Sequence, residues 1–246
     1  MLKEERWAKI LELVDTRGFV KNNELARLTD STIQTIISDI NSLDKENRVI
    51  KVYGGAKSIF EHKTNRESFD EEKINLNSFE KDLIAKTAAD LVEEKDYIFL
   101  DTGTSTKKLI KYLADKDIKI VTNGYSIALE LMEQDIEVCL VGGTIIPSTH
   151  ATAGVLSLKF LENFYFDKAF IGINNVDKEG MYTTNIEEAM IKEKVIKCSK
   201  KAFILCDSSK YGKKNSVKVV TQENTTIISE KAPKFDLNNI IIAKTE

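Results

Sequence analysis

The sequence is poor in residues that staple, kink or anchor a chain. Two prolines in 246 residues are too few for a Pro-rich linker. The 11 glycines follow no G-X-Y period, which excludes a collagen-like chain. Three cysteines, Cys139, Cys198 and Cys206, are odd in number and scattered. They fit a reduced, cytoplasmic setting and no disulfide framework. His62 and His150 are isolated, no Cys/His cluster has zinc spacing, and no metal or other cofactor is expected. No G-x-S-x-G elbow occurs. No apolar run approaches the roughly 18–20 residues that cross a bilayer. The N-terminal MLKEERWAKI has charges but no following apolar stretch, unlike a signal peptide. No membrane partner is expected.

A dominant charge is also missing. The chain has 36 Lys+Arg and 39 Asp+Glu, a net of −3. Residues 1–57 carry 10 basic and 9 acidic residues, the rest 26 and 30. A nucleic-acid binder is expected to show a basic footprint, and this balance neither proposes nor excludes one. A hydrophobic fraction of 42% is enough for a sizeable core. The length fits one large domain or two smaller ones.

Residues 1–57 read as three short helices and a hairpin. Trp7, Ile10, Leu11 and Val14 share one helix face, and Gly18 is a natural C-cap. Asn22 or Asn23 can cap a second helix ending at Leu28, and Asp30, Ser31 or Thr32 a third. In the third, Ile33, Ile36, Ile40 and Leu43 form the apolar stripe, with Gln34, Thr35, Ser38, Asn41 and Ser42 off it. Arg48 to Tyr53 alternates like a strand before Gly54-Gly55. This is the layout of a winged helix-turn-helix whose third helix would enter the major groove of DNA. Small three-helix modules also bind proteins.

Residues 58–76, polar and poorly periodic, read as a linker. From residue 77 to 246 short apolar strands alternate with helices. Strands are expected at 97–100, 118–122, 138–141, 168–172, 202–205, 225–229 and 239–243. Helices are expected at 79–92, 105–113, 125–133, 156–164 and 187–198. The pattern predicts a doubly wound, mostly parallel α/β sheet, with ligands at the carboxyl ends of the strands.

The loops there are small and polar. Asp101-Thr-Gly-Thr-Ser-Thr106 leads into a helix and can present N–H groups and hydroxyls to an anion. A capped βα turn accounts for it equally well. Thr122-Asn123-Gly124, Gly142-Gly143-Thr144 and Cys206-Asp207-Ser-Ser-Lys210 follow other strands. Lys210 could neutralise a phosphate, and Asp207 could bond a sugar hydroxyl. Glu188 and Lys192 stand at i and i+4 and can pair.

Taken in order, several segments carry a resemblance. They are EERWAKILELVDTRGFVKNNELARL, TIISDINSLDKE and VIKVYGGA in the first part. IFLDTGTST, VTNGYSIALEL, LVGGTIIP, FDKAFIGINNVDKEGMYTTNIEEAMIK and ILCDSSKYGK follow in the second. Over nearly its whole length the chain resembles the DeoR family of bacterial transcriptional regulators. The resemblance implies a winged helix-turn-helix followed by a sensor domain similar to ribose-5-phosphate isomerase. It implies a non-enzymatic repressor of a sugar-catabolic operon, a homo-oligomer (dimer or tetramer) that binds operator DNA and responds to a phosphorylated sugar. Gly103, Thr104, Ser105 and Thr106 would hold the phosphate, beside Asp101. Thr122, Asn123, Gly142 and Gly143 would line the same pocket. Glu188, Lys192, Asp207 and Lys210 would approach the sugar.

One departure stands out. Where the family usually has T-I-R-R-D-L, this chain has Thr35-Ile-Ile-Ser-Asp-Ile40. Arginine supplies phosphate charge and bidentate guanine reading. Ile37, four residues after Ile33, can join the edge of the core stripe. Ser31, Thr32, Gln34, Thr35, Ser38 and Asn41 remain as polar DNA contacts, and Arg27, Lys51 and Lys57 as backbone contacts. Two other readings stand beside the repressor. One is a sugar-phosphate isomerase, with Asp101, Glu188 or Asp207 as its base. The other is a sensor whose helix-turn-helix serves only oligomerisation or a protein partner.

Overall fold

The computed structural model describes residues 2–58, 76–237 and 239–244. The chain divides into two compact units, Met1–Arg66 and Glu67–Glu246. Nearly all of the expected linker, residues 59–75, lies outside the described residues, as does His62.

In the first unit, α1 (Lys3–Arg17) ends where Gly18 turns to φ 75° and its N–H bonds to the Val14 carbonyl at 2.8 Å. β1 (Phe19–Lys21) follows, then α2 (Asn22–Leu28), α3 (Ile33–Lys45), β2 (Val49–Val52) and β3 (Gly55–Ser58). The strands pair antiparallel in the order β1-β3-β2. The wing is thus a three-stranded sheet, because the short Phe19–Lys21 piece pairs with β3. Gly54 turns the hairpin at φ 81°, and a side chain on Gly55 would strike the Val20 carbonyl.

Two expectations about α2 and α3 need correction. Asn22 does not cap α2 but lies in its first turn, and its N–H bonds to the Gly54 carbonyl of the wing. Ile33 is 45% exposed and outside the core, because α3 begins at that residue. Thr32 is the cap of the three alternatives: its hydroxyl accepts from the Thr35 N–H at 3.1 Å. Ile36, Ile40 and Leu43 are buried with Ile10, Val14, Val20, Leu25 and Val49. Each large side chain so buried contributes roughly 1.5–3 kcal/mol.

The inner face of α3 also carries a charge. Asp39 is buried and accepts from Arg6 Nε at 2.5 Å and from Trp7 Nε1 at 2.8 Å. The contact ties α3 to the first turns of α1, and Asp39 holds the Arg6 guanidinium above its ordinary pKa through that hydrogen bond.

The second unit is a seven-stranded, all-parallel sheet with helices on both faces. Its strands are β4 (Tyr97–Leu100), β5 (Lys119–Thr122), β6 (Val138–Leu140), β9 (Phe166–Gly172), β12 (Ser199–Leu205), β14 (Thr225–Ser229) and β15 (Ile240–Ile242). Their order is β15-β14-β12-β9-β4-β5-β6. The chain leaves β4 toward β5 and β6 and later returns to build the other side from β9, so the order reverses between β4 and β9. Successive side chains face opposite ways. Ile98, Leu100, Phe170 and Phe203 join one core, and Phe99, Ala169, Ile171 and Ile204 the other.

The expected 105–113 helix is instead a short helix, Thr104–Lys107, and a 3₁₀ turn, Ile110–Tyr112. Leu109, Ile110 and Leu113 still reach the core. Five strands are additional to those expected. β7 (Thr144–Ile146) and β8 (Ala151–Ala153) form a hairpin. β10 (Asn175–Asp177), β11 (Gly180–Thr183) and β13 (Val217–Val219) form a small antiparallel sheet. They are three or four residues long and partly polar, too short for period-2 alternation to register. Among the described residues no helix is long and apolar enough to cross a membrane.

Removing Asp39 should uncouple α3 from α1 and leave Arg6 and Trp7 without their acceptor. We predict that Asp39→Ala destabilises the first unit by about 2–3 kcal/mol. Urea unfolding followed by the fluorescence of the single tryptophan, which lies in this unit, measures it. A loss below about 0.5 kcal/mol, the scale of an ordinary surface substitution, would show the contact to be incidental.

Candidate functional site

A cavity of about 360 Å³ opens beside the carboxyl ends of β4 and β9, where an open parallel sheet places its ligands. Thr102 to Ser105 follow β4, and Gly172 to Asn175 begin at the end of β9. Asp207, Ser209, Lys210 and Lys213 come from the loop after β12. Glu188 and Lys192 project from the Ile186–Lys197 helix, Thr149 from the β7–β8 turn, and Asn77 and Lys81 from the start of the Ser78–Ala89 helix.

Under this lining lies a buried polar scaffold. Asp101, 1% exposed, accepts from Lys192 Nζ at 2.6 Å and from the Gly172 N–H at 2.9 Å. One carboxylate thereby joins the ends of β4 and β9 to the Ile186–Lys197 helix. Thr149 donates to Glu188 Oε1 at 2.5 Å, and its carbonyl accepts from the Thr102 hydroxyl at 2.5 Å. Asn185 caps the same helix by accepting from the Glu187 and Glu188 N–H groups. Lys210 donates to the Ile173 carbonyl at 2.8 Å and stands 3.8 Å from Asp207 Oδ2.

Burial pushes the Asp207 carboxyl up. Lys210 and the bonds from Ser209 and Asn77 outweigh that, holding it below its ordinary range. Its stabilising contribution is therefore present above that range and lost as pH falls through the lowered value. Cys206, next to it, is pushed up to about 12 by burial, and a thiol so buried is a poor nucleophile.

Gly103 is in a backbone region, φ 136°, that favours glycine. It lets the chain turn sharply into the Thr104–Lys107 helix. Thr106 donates to the Gly103 carbonyl at 2.9 Å. Two buried groups at the cavity have no hydrogen-bond partner among the described residues: the Ser105 hydroxyl and Asp207 Oδ2. Buried polar atoms are rarely left so; Oδ2 has the Lys210 ammonium 3.8 Å away.

The cavity thus brings together Gly103, Thr104, Ser105, Glu188, Lys192, Asp207 and Lys210. Asp101 sits directly behind Lys192, and Thr106 turns back on its own loop. The expectation for Thr122, Asn123, Gly142 and Gly143 needs correction, since none of them lines the cavity. Their strands, β5 and β6, lie on the side of β4 away from β9, and the β7–β8 hairpin closes over them. Thr122 accepts from the Gly124 N–H, and Asn123 donates to the Thr152 carbonyl. Gly142 accepts from Ser157, and Gly143 packs against Ala153. Sequence reasoning missed Asn77, Lys81, Ser209 and Lys213. Ser209 and Lys213 were within reach, because they lie in the same polar segment as Asp207 and Lys210. Asn77 and Lys81 arrive through tertiary folding alone.

In the first unit, Gln34 and Ser38 are exposed on α3, and Thr35 and Asn41 are half-buried. Thr32 and Thr35 share a 2.8 Å hydroxyl contact, and Ser31 donates to the Thr29 carbonyl. Arg27 on α2 and Lys51 and Lys57 on the wing are exposed. Ile37 does not join the core edge. It is 39% exposed, because Ile36, Asp39 and Ile40 take the inward positions.

The unpartnered Ser105 hydroxyl generates a prediction. Ser105→Ala should leave stability unchanged or raise it by up to about 1 kcal/mol, since an unpaired buried hydroxyl carries its full desolvation penalty. The same change should reduce the thermal stabilisation given by millimolar inorganic phosphate. Scanning calorimetry with and without phosphate reads both, and a variant that loses stability yet keeps the phosphate shift contradicts this assignment.

Residues 6–62 match the family model of a DeoR-like helix-turn-helix domain, and residues 76–231 that of the DeoR C terminal sensor domain. The uncharacterized HTH-type transcriptional regulator FruR of Bacillus subtilis is 34% identical over 241 residues, covering 97% of this chain and 95% of its own. The lactose phosphotransferase system repressor of Staphylococcus epidermidis is 33% identical over 219 residues, 87% of this chain and 86% of its own. Among solved structures, ribose 5-phosphate isomerase A from Methanocaldococcus jannaschii aligns over 55% of each chain at 18% identity, with a TM-score of 0.42.

Proposed function

The chain belongs to the DeoR family of transcriptional regulators, and from that premise we propose that it represses a sugar-catabolic operon, with its DNA affinity set by a phosphorylated sugar in the cavity. The observation that carries the effector reading is a cavity at the strand ends lined by Gly103, Thr104, Ser105, Asp207 and Lys210. The loop of small hydroxyl residues suits a phosphate, and Asp207, ion-paired with Lys210, suits a sugar hydroxyl. Lys210 and Lys213 add positive charge at the same opening. A sugar operon is supported by the relative named as a lactose phosphotransferase system repressor.

In this reading residues 1–57 are the DNA-reading domain and residues 77–246 the sensor, acting in the cytoplasm. Gln34, Thr35, Ser38 and Asn41 face base edges with Ser31 and Thr32 at the helix start, while Arg27, Lys51 and Lys57 hold phosphates. Exposed Ile33 and Ile37 give the helix an apolar strip of the kind that lies against thymine methyl groups. A homo-oligomer, dimer or tetramer, would present paired reading heads to paired half-sites. In this reading the cavity senses and does not turn over its ligand, which the relatives named as transcriptional regulators and repressors support.

The effector must bind the DNA-competent and incompetent arrangements unequally. Electrophoretic shift of the chain's own upstream region, with and without a panel of pentose and hexose phosphates, tests the reading. We expect binding at low salt and a change in affinity of about 5–150-fold with at least one panel member. Absence of binding at low salt would overturn the repressor reading.

The missing arginines give a second prediction. Ile37→Arg with Ser38→Arg should tighten binding and steepen the slope of log affinity against log salt by up to about 2. An unchanged slope would mean that this turn of α3 does not face the phosphates.

A further inference from the structure

Asn77 occupies the N-cap position of the Ser78–Ala89 helix, yet its side chain makes no capping bond. Asparagine ordinarily caps by accepting from an N–H of the first turn. Here its amide reaches across the fold: Nδ2 donates to Asp207 Oδ1 and to the Ser209 hydroxyl, both at 2.9 Å. Its backbone is left-handed, φ 52° and ψ 43°, a conformation that costs a non-glycine residue energy.

The Asn77 contact decides how Asp207 is presented. Oδ1 accepts from Asn77, from the Ser209 N–H at 3.2 Å and from the Ser209 hydroxyl. Oδ2 is buried, makes no hydrogen bond and stands 3.8 Å from Lys210 Nζ. Asp207, Lys210, Leu76, Asn77 and Lys81 all line the cavity, and Asn77 is where the chain enters the sensor from residues 59–75. The Asp207–Lys210 pair at the cavity and the covalent route toward the first unit therefore meet at one side chain.

We propose that Asn77 is a positioning residue that links cavity occupancy to the start of the sensor. A ligand in the cavity that engages the Asp207–Lys210 pair favours the state in which Asn77 is clasped to Oδ1, and the clasp fixes the Leu76–Asn77 turn through which the chain leaves toward the DNA-reading unit. By reciprocity, whatever opens the turn weakens the ligand by the same factor. The inference rests on the effector reading above and deepens it by naming the point of coupling.

The test uses the full chain and Asn77→Gly. Glycine tolerates the left-handed backbone, so the substitution removes the amide without adding strain. The probe is the panel sugar phosphate that most changes the DNA affinity of the parent, used at saturation. The ligand-induced change in DNA affinity should fall below about twofold in the variant. A residue that served only as a ligand contact would raise the ligand Kd but leave the DNA effect at saturation intact, and that result overturns the proposal. If no panel member acts on the parent, the effector reading fails, and amide hydrogen exchange decides the clasp separately. Without ligand, the Lys81 N–H, which bonds to the Asn77 carbonyl at 3.0 Å, should then exchange at least about tenfold faster in Asn77→Gly, and equal exchange overturns the proposal.

Discussion

The Asp101 carboxylate is the point on which the sensor unit turns. It closes the end of β4, accepts from the Gly172 N–H at the end of β9, and neutralises Lys192 from the helix above. β4 and β9 are the neighbours between which the strand order reverses, so their following loops diverge and leave a crevice. A charge this deep is tolerated only because its partner is equally buried and the remaining geometry is satisfied by the backbone. The loops carrying Ser105 and Asn174 are held apart at a fixed spacing as a result. A second buried pair, Lys168 with Asp96 at 2.5 Å, ties β9 to the residue just before β4, at the opposite end of the same two strands. The two central strands are thus fastened at both ends.

The DNA-reading unit uses a related device for a different end. Asp39 faces inward from α3 and is held by Arg6 and Trp7, so the helix is oriented by α1 as well as by its apolar stripe. That leaves the outer face free of packing duty. Its occupants are small polar residues and exposed isoleucines, a surface of low charge on a chain whose net charge is −3. Such a face has little long-range attraction for phosphate, and its contacts must come from close fit.

The cavity shows stability and binding set against one another. The Ser105 hydroxyl and Asp207 Oδ2 are buried without a hydrogen bond, and Asn77 forgoes its cap. A sequence selected for stability alone would have paired or removed these groups. Beside them the scaffold of Asp101, Glu188, Thr149 and Thr102 is fully engaged. Rigid support beneath unsatisfied groups is how a site can be preorganised without the ligand.

Much of this was legible in the residues themselves. The i, i+3, i+4 spacing of apolar residues in α1, the glycine after it, and short apolar strands separated by helices are local patterns, and local patterns follow from backbone geometry. They gave the order of elements and the parallel sheet, and the small polar segments after β4 and β12 pointed to site loops. What failed did so for non-local reasons. The loops after β5 and β6 look like the others, but their strands lie on the far side of β4, so Thr122, Asn123, Gly142 and Gly143 stand away from the cavity. The five short extra strands lack the length to show a period. Asn77 reads as an ordinary helix start, and only the fold brings it 130 residues along the sequence to Asp207. The sequence by itself determined the longer helices, the seven strands of the large sheet and which loops are polar, because those depend on neighbours in the chain. The tertiary structure alone decided which loops share a cavity and which charges meet, because strand order and burial are properties of the whole sheet.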